Sequence, residues 1–192
     1  RDAEAAAASR IMGLTVRENA GRPDGFLKDD QDTVMAVIRI LRKWRPALWI
    51  VPCSEERHPD HAAAGRVGLE AAFPAGLRKI ETGQKPFRPT WTLQYFCRLD
   101  SAYSFIVDVS PAFEQKLEAI RASRSQFDPH SDQPQTYIRR PQFMDMIIAR
   151  NKFYGSKIEV AYGEPFLSRE ALRVDDPVAF LTGNPSTWAT LR

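Results

Sequence analysis

A short apolar run, ALWIVPC at residues 47 to 53, is followed at once by a polar loop and an alanine-rich segment. A near-continuous apolar run of this length is typical of a strand that is buried on both faces of a parallel sheet. The segment from about 61 to 73 predicts a helix, so strand, loop and helix follow one another as in α/β folds. The ligand crevice of such folds lies beyond the carboxyl ends of the strands. The loop SEERHPD, residues 54 to 60, is therefore the expected place for a functional site.

The rest of the chain alternates between helical and extended patterns. Residues 2 to 12 favour a helix that ends at Gly13, and LTVREN at residues 14 to 19 favours a short strand. The other predicted elements are a helix from about 29 to 44, strands at 91 to 99 and 105 to 109, helices from 110 and from about 142 to 154, and one short strand in a loop-like tail. This order of elements predicts the α/β fold class.

Length and composition fit one domain over residues 1–192 better than two. No apolar run approaches the roughly 20 residues needed to span a bilayer, and no segment has the features of a signal peptide, so a cytoplasmic location is expected. The net charge of +3 is mild, and basic residues are interspersed with acidic ones, which argues against a nucleic-acid partner. Cys53 and Cys97 lie far apart, which predicts reduced thiols and excludes a zinc knuckle.

The polar loop contains two of the three histidines of the chain, His58 and His61, with Pro59 and Asp60 between them. Proline suits the first turn of a helix, so His58 is expected at the end of the strand, while Asp60 and His61 enter the helix. A catalytic zinc ion commonly has three protein ligands, often imidazoles, and one open position. One histidine is then a candidate metal ligand, and the other is available for acid or electrophilic chemistry. The alternative is a polar helix start with Asp60 as the N-cap residue, and the H-x-x-H spacing alone does not exclude it.

The stretch RHPDHAAAGRVGLEAAFPAGLRK, which begins at Arg57, resembles a signature of the LmbE-like (PIG-L) zinc-dependent N-deacetylases. Three further stretches, ENAGRPDGFL, DVSPAFEQKLEAIRASRSQF and IIARNKFYGSKIEVAYGEPFLS, are similar to the branch that deacetylates N-acetylglucosaminyl-malate in bacillithiol biosynthesis. The resemblance implies a Rossmann-like sheet flanked by helices, a homo-oligomer, and one zinc ion per subunit that activates water against an acetamide carbonyl. The implied partner is a small-molecule N-acetylglucosaminide. Other divalent metals also suit a site of this type.

The resemblance also implies roles for individual residues. His61 matches the zinc ligand of the family, His58 the residue that stabilises the oxyanion or transfers a proton, and Asp60 the residue that orients it. Counting forward from the GLRK stretch places a substrate-binding arginine at Arg88. Arg57 is a second candidate, because a guanidinium matches a malate carboxylate through two hydrogen bonds, although it is equally able to pair with a neighbouring glutamate.

The second half of the family site, an H-P-D-D type motif with the remaining ligands and the general base, does not occur in this sequence. The chain begins with RDAEAAAASRIMG, already in a helical pattern, so the resemblance implies an N-terminally truncated domain that lacks the first strand or strands of the sheet. The 192 residues alone are then expected to be inactive, to bind zinc weakly, and to leave the ALWIVPC strand with an unpaired edge. If residue 1 is the true start, a non-catalytic sugar-binding module is the alternative.

The substrate alternatives within the family are a mycothiol precursor, GlcNAc-phosphatidylinositol and a chitin fragment. A tyrosine that donates to the oxyanion in some relatives matches Phe143, which has no donor, so the contact is lost or passes to Tyr137. His130 lies in a polar, proline-interrupted segment and is expected to be a solvated residue. The resemblance places the turn at 22 to 25 near the sugar, although Asp24 and Gly25 are also ordinary turn residues.

Overall fold

The structure of the protein is a computed structural model, which describes residues 1–97, 102–128, 136–176 and 180. Its contacts divide the chain into two compact units. The first unit contains Arg1–Asn19 and Ile106–Pro165, and the second unit contains Ala20–Phe105 and Phe166–Arg192. Within the described ranges, no helix combines the length and the apolar character that crossing a membrane requires.

Helices and strands are interspersed along the described chain. The helices are α1 Asp2–Ile11, α2 Gln31–Trp44, α3 Pro59–Ala72, α4 Phe113–Arg121, α5 Arg124–Phe127 and α6 Pro141–Ser156. The strands are β1 Leu48–Pro52, β2 Trp91–Tyr95, β3 Phe105–Asp108 and β4 Gly163–Ser168, in the sheet order β1-β2-β4-β3. β1 pairs with β2 in parallel, and β2 pairs with β4 antiparallel. This mixed sheet with flanking helices confirms the predicted α/β, Rossmann-like fold class.

The core of the second unit is built on α2. Asp30 caps the start of this helix, because its carboxylate accepts hydrogen bonds from the backbone N–H of Thr33 at 2.9 Å and from the Thr33 hydroxyl at 2.7 Å. The helix ends at Arg45, which has a left-handed backbone conformation. The buried core side chains recur at helical spacing on α2 and meet small residues of α3 and the turn after it; they are Val34, Ile38, Leu41, Val67, Ala71 and Ala75.

Two glycines of α3 allow the helix to contact β1 directly. A Cβ atom on Gly65 would lie 2.5 Å from the carbonyl oxygen of Pro52, and one on Gly68 would lie 2.4 Å from Cγ1 of Val51. The indole N–H of Trp49 donates to the Gly68 carbonyl at 3.0 Å and closes the same contact. The N-terminus of α3 is therefore held at the carboxyl end of β1, as the strand-loop-helix pattern predicts.

The prediction that β1 is buried on both faces was wrong. Leu48 and Ile50 are 45% and 42% exposed, whereas Val51, which points to the opposite face, is 2% exposed. Side chains alternate between the two faces of a strand, and only the face that carries Trp49 and Val51 packs against α2 and α3. β1 is also the terminal strand of the sheet order, so one of its edges has no strand beside it among the residues that the structure describes.

The predicted strand at LTVREN was also wrong. Residues 14 to 19 have no strand structure, and the side chains of Leu14 and Val16 are 48% and 42% exposed. β-propensity depends on a partner strand and on a half-buried face, and this segment has neither within the described residues. The prediction for α1 is confirmed, because the helix is followed by Gly13 at φ +65°, a backbone conformation that favours glycine.

The first unit joins α1 to α4 and α5. Gln115 on α4 donates to the Ile11 carbonyl at 2.6 Å, at the end of α1. Glu4 on α1 accepts hydrogen bonds from the backbone N–H and the hydroxyl of Ser125, both at 2.6 Å, and these bonds lower the pKa of the Glu4 carboxyl. The aromatic rings of Phe113 and Tyr162 stack with their centroids 3.7 Å apart. The contacts of α1 connect segments that are more than 100 residues apart in sequence.

Arg42 on α2 is a buried cation that fixes the segment after α3. Its side chain is 4% exposed, and its guanidinium donates to the carbonyl oxygens of Ala75, Leu77 and Ile80 and to the Thr82 hydroxyl at 2.6 to 2.9 Å. Four acceptors surround one charge, so the desolvation of the guanidinium is offset by charge-assisted hydrogen bonds.

Arg42→Ala is expected to lower the free energy of unfolding by about 3 kcal/mol, because buried carbonyl groups lose their donors. The measurement is urea unfolding followed by circular dichroism. Arg39→Ala, an exposed arginine on the same helix, is the matched control and should change stability by about 0.5 kcal/mol or less. Equal destabilisation by the two variants would contradict a structural role for Arg42.

Candidate active site at the start of the third helix

His58 is the N-cap residue of α3, so Asp60 and His61 lie inside the helix as predicted, and the alternative with Asp60 as the N-cap was wrong. The backbone of His58 is extended, with φ −77° and ψ 125°, so its ring folds back over the first turn. Its Nδ1 accepts a hydrogen bond from the backbone N–H of Asp60 at 3.2 Å. A backbone N–H is always a donor, so Nδ1 carries no proton in this contact and the proton of the neutral ring is on Nε2. The Nε2–H group of His58 is therefore available as a hydrogen-bond donor.

The two histidines of the loop lie side by side. The ring centroids of His58 and His61 are 4.8 Å apart, with an angle of 29° between the ring planes. Both residues are exposed. Residues three positions apart share one face of a helix, which accounts for the stacking of the two rings.

The carboxylate of Asp60 holds a turn from the preceding part of the chain. Oδ2 accepts from the backbone N–H of Gly25 at 2.6 Å, and Oδ1 accepts from that of Leu27 at 3.2 Å. Asp60 thus contacts His58 through its backbone N–H and the turn through its side chain. The turn that the resemblance places near the sugar is held directly against the H-P-D-H motif.

His61 belongs to a candidate metal-binding cluster. One donor atom from each of Glu56, His61 and Cys97 lies within 4.8 Å of the others. Glu56 is 6% exposed, and its carboxylate accepts from the backbone N–H of Cys97 at 2.5 Å. His61 was predicted from the sequence as a metal ligand, whereas Glu56 and Cys97 were not predicted as its neighbours in this cluster.

A topological signal was available for both missed residues. Glu56 comes four residues after the end of β1, and Cys97 comes two residues after the end of β2. β1 and β2 are parallel neighbours, so the segments that follow them meet at the same edge of the sheet. If β1 and β2 had been recognised as neighbouring strands, Glu56 and Cys97 could have been predicted to lie close together.

The donor set of this cluster suits a zinc ion. Carboxylate oxygen, imidazole nitrogen and thiolate sulfur are all zinc ligands, and three protein ligands are the usual number at a catalytic site. Cys53 and Cys97 form no disulfide, so the Cys97 sulfur can contribute to the cluster.

The two arginines proposed for substrate binding have different surroundings. Arg57 is exposed and lies between Glu56 and His58 in the loop, while the Glu56 carboxylate is directed to Cys97. Arg88 stacks over the ring of Phe73 at 4.0 Å and donates to the Phe73 carbonyl at 3.2 Å. The substrate-binding roles of both arginines remain predictions.

The proposed alternative oxyanion donor lies in the first unit. The Tyr137 ring meets the ring of Phe143 edge-on, with centroids 5.8 Å apart, so the tyrosine is a neighbour of the residue that lacks the donor. Its role in catalysis also remains a prediction. His130 lies outside the residues that the structure describes.

Parts of this chain are similar in sequence to known proteins. The PIG-L family profile, described as GlcNAc-PI de-N-acetylase, matches residues 1–72. A diacetylchitobiose deacetylase of Thermococcus kodakarensis is 32% identical over 127 residues, which is 62% of this chain and 46% of the relative. The chain thus spans about half the length of that curated relative.

Solved structures extend the match over most of the chain. A conserved protein of Thermus thermophilus is 35% identical, with a TM-score of 0.81 over 91% of this chain and 75% of that one. The N,N'-diacetylchitobiose deacetylase of Pyrococcus horikoshii, solved with an inhibitor, is 26% identical, with a TM-score of 0.74 over 86% of this chain and 61% of that one. Identity at this level over three quarters of a relative, together with the family profile, shows that this chain belongs to the PIG-L family, also called LmbE-like.

Proposed function

We propose that the protein is a metal-dependent N-deacetylase that removes the acetyl group of an N-acetylglucosaminide. The observation that carries this proposal is the pairing of His58 with His61 at the end of β1, with the metal-binding cluster around His61. Two relatives that are named as diacetylchitobiose deacetylases support an amide of N-acetylated glucosamine as the substrate class. In the reaction, water adds to the acetamide carbonyl, the C–N bond breaks, and acetate and a free amine are released.

His61, with Glu56 and Cys97 as neighbouring donors, would hold the zinc ion. When bound, zinc supplies a Lewis acid that lowers the pKa of water and polarises the acetamide carbonyl. His58 has a separate task, because its Nε2–H is free to donate to the carbonyl oxygen as negative charge develops there. The bond from the Asp60 backbone keeps the imidazole in the tautomer that this donation requires.

We further propose N-acetylglucosaminyl-malate, an intermediate of bacillithiol biosynthesis, as the substrate. The stretches similar to that branch and the exposed Arg57 beside His58 support an acidic aglycone. Diacetylchitobiose is the second candidate, because two relatives carry that name. We also propose that the protein forms a homo-oligomer, is located in the cytoplasm and has no nucleic-acid partner.

The direct test is acetate release by the complete protein, loaded with zinc, from N-acetylglucosaminyl-malate and from diacetylchitobiose. We expect release from both, with the higher kcat/KM on the malate conjugate. Treatment with a chelator should abolish the activity, and added zinc should restore it. A folded, zinc-loaded protein that releases acetate from no acetylated glucosaminide would refute the proposed function.

Arg57→Ala and Arg88→Ala are each expected to raise KM for N-acetylglucosaminyl-malate about tenfold, and to change KM for neutral N-acetylglucosamine much less. A charge-assisted hydrogen bond to a carboxylate contributes to ground-state binding, so its loss appears in KM when kcat is unchanged. The measurement is steady-state kinetics on the two substrates.

Arg78→Ala, which changes another arginine of the second unit, is the control and should leave both KM values unchanged. Thermal unfolding of the Arg88 variant is also needed, because this side chain packs on Phe73. Equal losses on the charged and the neutral substrate would show that the arginines act through the fold rather than through the carboxylates.

A further inference from the structure

The histidines of the site lie on an open surface. His58 and His61 are both exposed. A cleft of about 550 Å³ begins beside the loop, but its lining consists of Ser54, Glu55, Arg66, Leu69, Glu70 and Arg169 and includes neither histidine. A sugar that presents its acetamide to His58 therefore needs a binding surface that this cleft does not provide. Sites for small ligands usually supply such a surface with apolar or aromatic side chains.

The turn that Asp60 holds carries an aromatic residue, Phe26. Gly25 and Leu27 both donate to the Asp60 carboxylate, so Phe26 lies between two anchored residues. Asp60 is in turn the residue that immediately precedes His61. Gly25 has φ +82°, a conformation that favours glycine, and this shapes the tight turn around the carboxylate.

Further contacts fix the rest of this segment. Asp29 forms an ion pair with Arg66 of α3 at 2.6 Å, and the hydrogen bond from Arg66 lowers the pKa of the Asp29 carboxyl. Arg22 donates to the Asp32 carbonyl at 2.8 Å. Phe26 is thus presented from a segment whose backbone is bonded on both sides.

Phe26 is the most exposed of the large apolar side chains in the described part of the chain, at 77%. Isolated exposed apolar residues are common and need no explanation in themselves. The difference at Phe26 is that both of its neighbours are bonded to the carboxylate of Asp60, which lies in the first turn of α3 next to the candidate metal ligand His61. A backbone that is already held in place loses little conformational freedom when a ligand binds.

We propose that Phe26 is the platform on which the pyranose ring of the substrate stacks while its acetamide is presented to His58 and His61. This inference rests on the proposed function and adds a specificity-determining residue to it. One face of a pyranose ring exposes several C–H groups, which pack against the electron-rich face of a phenyl ring. The contact is the same before and in the transition state, so it contributes to KM rather than to kcat.

The test compares Phe26→Ala, Phe26→Leu and Phe26→Trp in the complete, zinc-loaded protein. Diacetylchitobiose provides pyranose rings, whereas N-acetylglucosaminitol carries its acetamide and hydroxyl groups on an open chain. The alanine and leucine variants should raise KM for the ring substrate about tenfold with kcat unchanged, and should leave KM for the open-chain substrate unchanged. The tryptophan variant should keep KM close to the wild-type value, because it retains an aromatic face.

Phe153→Ala is the matched control, since Phe153 is also an exposed phenylalanine, at 51%, but belongs to the first unit. It should change neither KM. Unfolding curves of the Phe26 variants should match that of the wild type, because the ring is largely exposed. A wild type that hydrolyses the ring substrate, with an unchanged KM in Phe26→Ala, would overturn the platform while leaving the proposed function in place. A wild type that releases acetate neither from these two substrates nor from N-acetylglucosaminyl-malate would overturn both.

Discussion

His61→Ala is expected to abolish zinc binding by the complete protein. Removal of one of three protein ligands leaves a site that no longer holds the ion tightly, and zinc affinity at such sites depends on every ligand. The structure supports this expectation, because one donor atom from each of Glu56, His61 and Cys97 lies within 4.8 Å of the other two. The measurement is elemental analysis of the purified variant after dialysis against a metal-free buffer.

His61 does not cap α3, so its loss should leave the helix start intact. Circular dichroism of the variant should therefore match that of the wild type. Stoichiometric zinc in His61→Ala would refute the assignment of this residue as a ligand and would direct attention to the other donors of the chain.

His58→Ala is expected to retain zinc and to lower kcat by roughly 100-fold to 1,000-fold, which is the usual effect of removing an oxyanion donor or an acid-base group. The physical reason is the tautomer, because the bond from the Asp60 backbone to Nδ1 leaves Nε2–H as the donating group. The measurements are acetate release at saturating substrate and elemental analysis of the same preparation.

The alanine variant also removes the N-cap of α3, which costs about 1 kcal/mol of stability. His58→Asn separates the two effects, since asparagine is a good N-cap residue but lacks the imidazole. We expect the asparagine variant to recover stability without recovering kcat. Recovery of activity in His58→Asn would show that His58 acts only as a helix cap. Loss of zinc from His58→Ala, with zinc retained in His61→Ala, would show that the roles of the two histidines are the reverse of those assigned.

The elements that could be predicted from the sequence are those set by local interactions. α2 was predicted from acidic residues at its start, apolar residues at helical spacing and Pro46 after its end, and the structure confirms each of these. The succession of β1, the polar loop and α3 was also predicted from local sequence patterns. The errors at LTVREN and at the exposed face of β1 have a common cause, because burial and strand pairing depend on neighbours that are distant in sequence.

The contacts of the site also differ in whether the local sequence could predict them. His58 and His61 lie within one turn of a helix, so their spacing was sufficient to predict that they meet. The contact of Asp60 with the 25–27 turn spans 33 to 35 residues, and that of Glu56 with Cys97 spans 41 residues. No periodicity encodes such pairs, and they follow only from the order of strands in the sheet and from the packing of α3 on β1.

Because glycine residues of α3 contact β1 directly, the geometry of the site and the stability of the second unit depend on different contacts. Gly65 rests on main-chain atoms of Pro52 and Ser54, so the distance between the start of the helix and the strand end is set there by the peptide backbone rather than by a side chain. Substitutions among the apolar residues between α2 and α3 are then free to accumulate without displacing the histidines. A methyl group added at position 65 would act as a wedge between helix and strand. It would move His58 and His61 together, preserving their mutual spacing while drawing His61 away from Glu56 and Cys97.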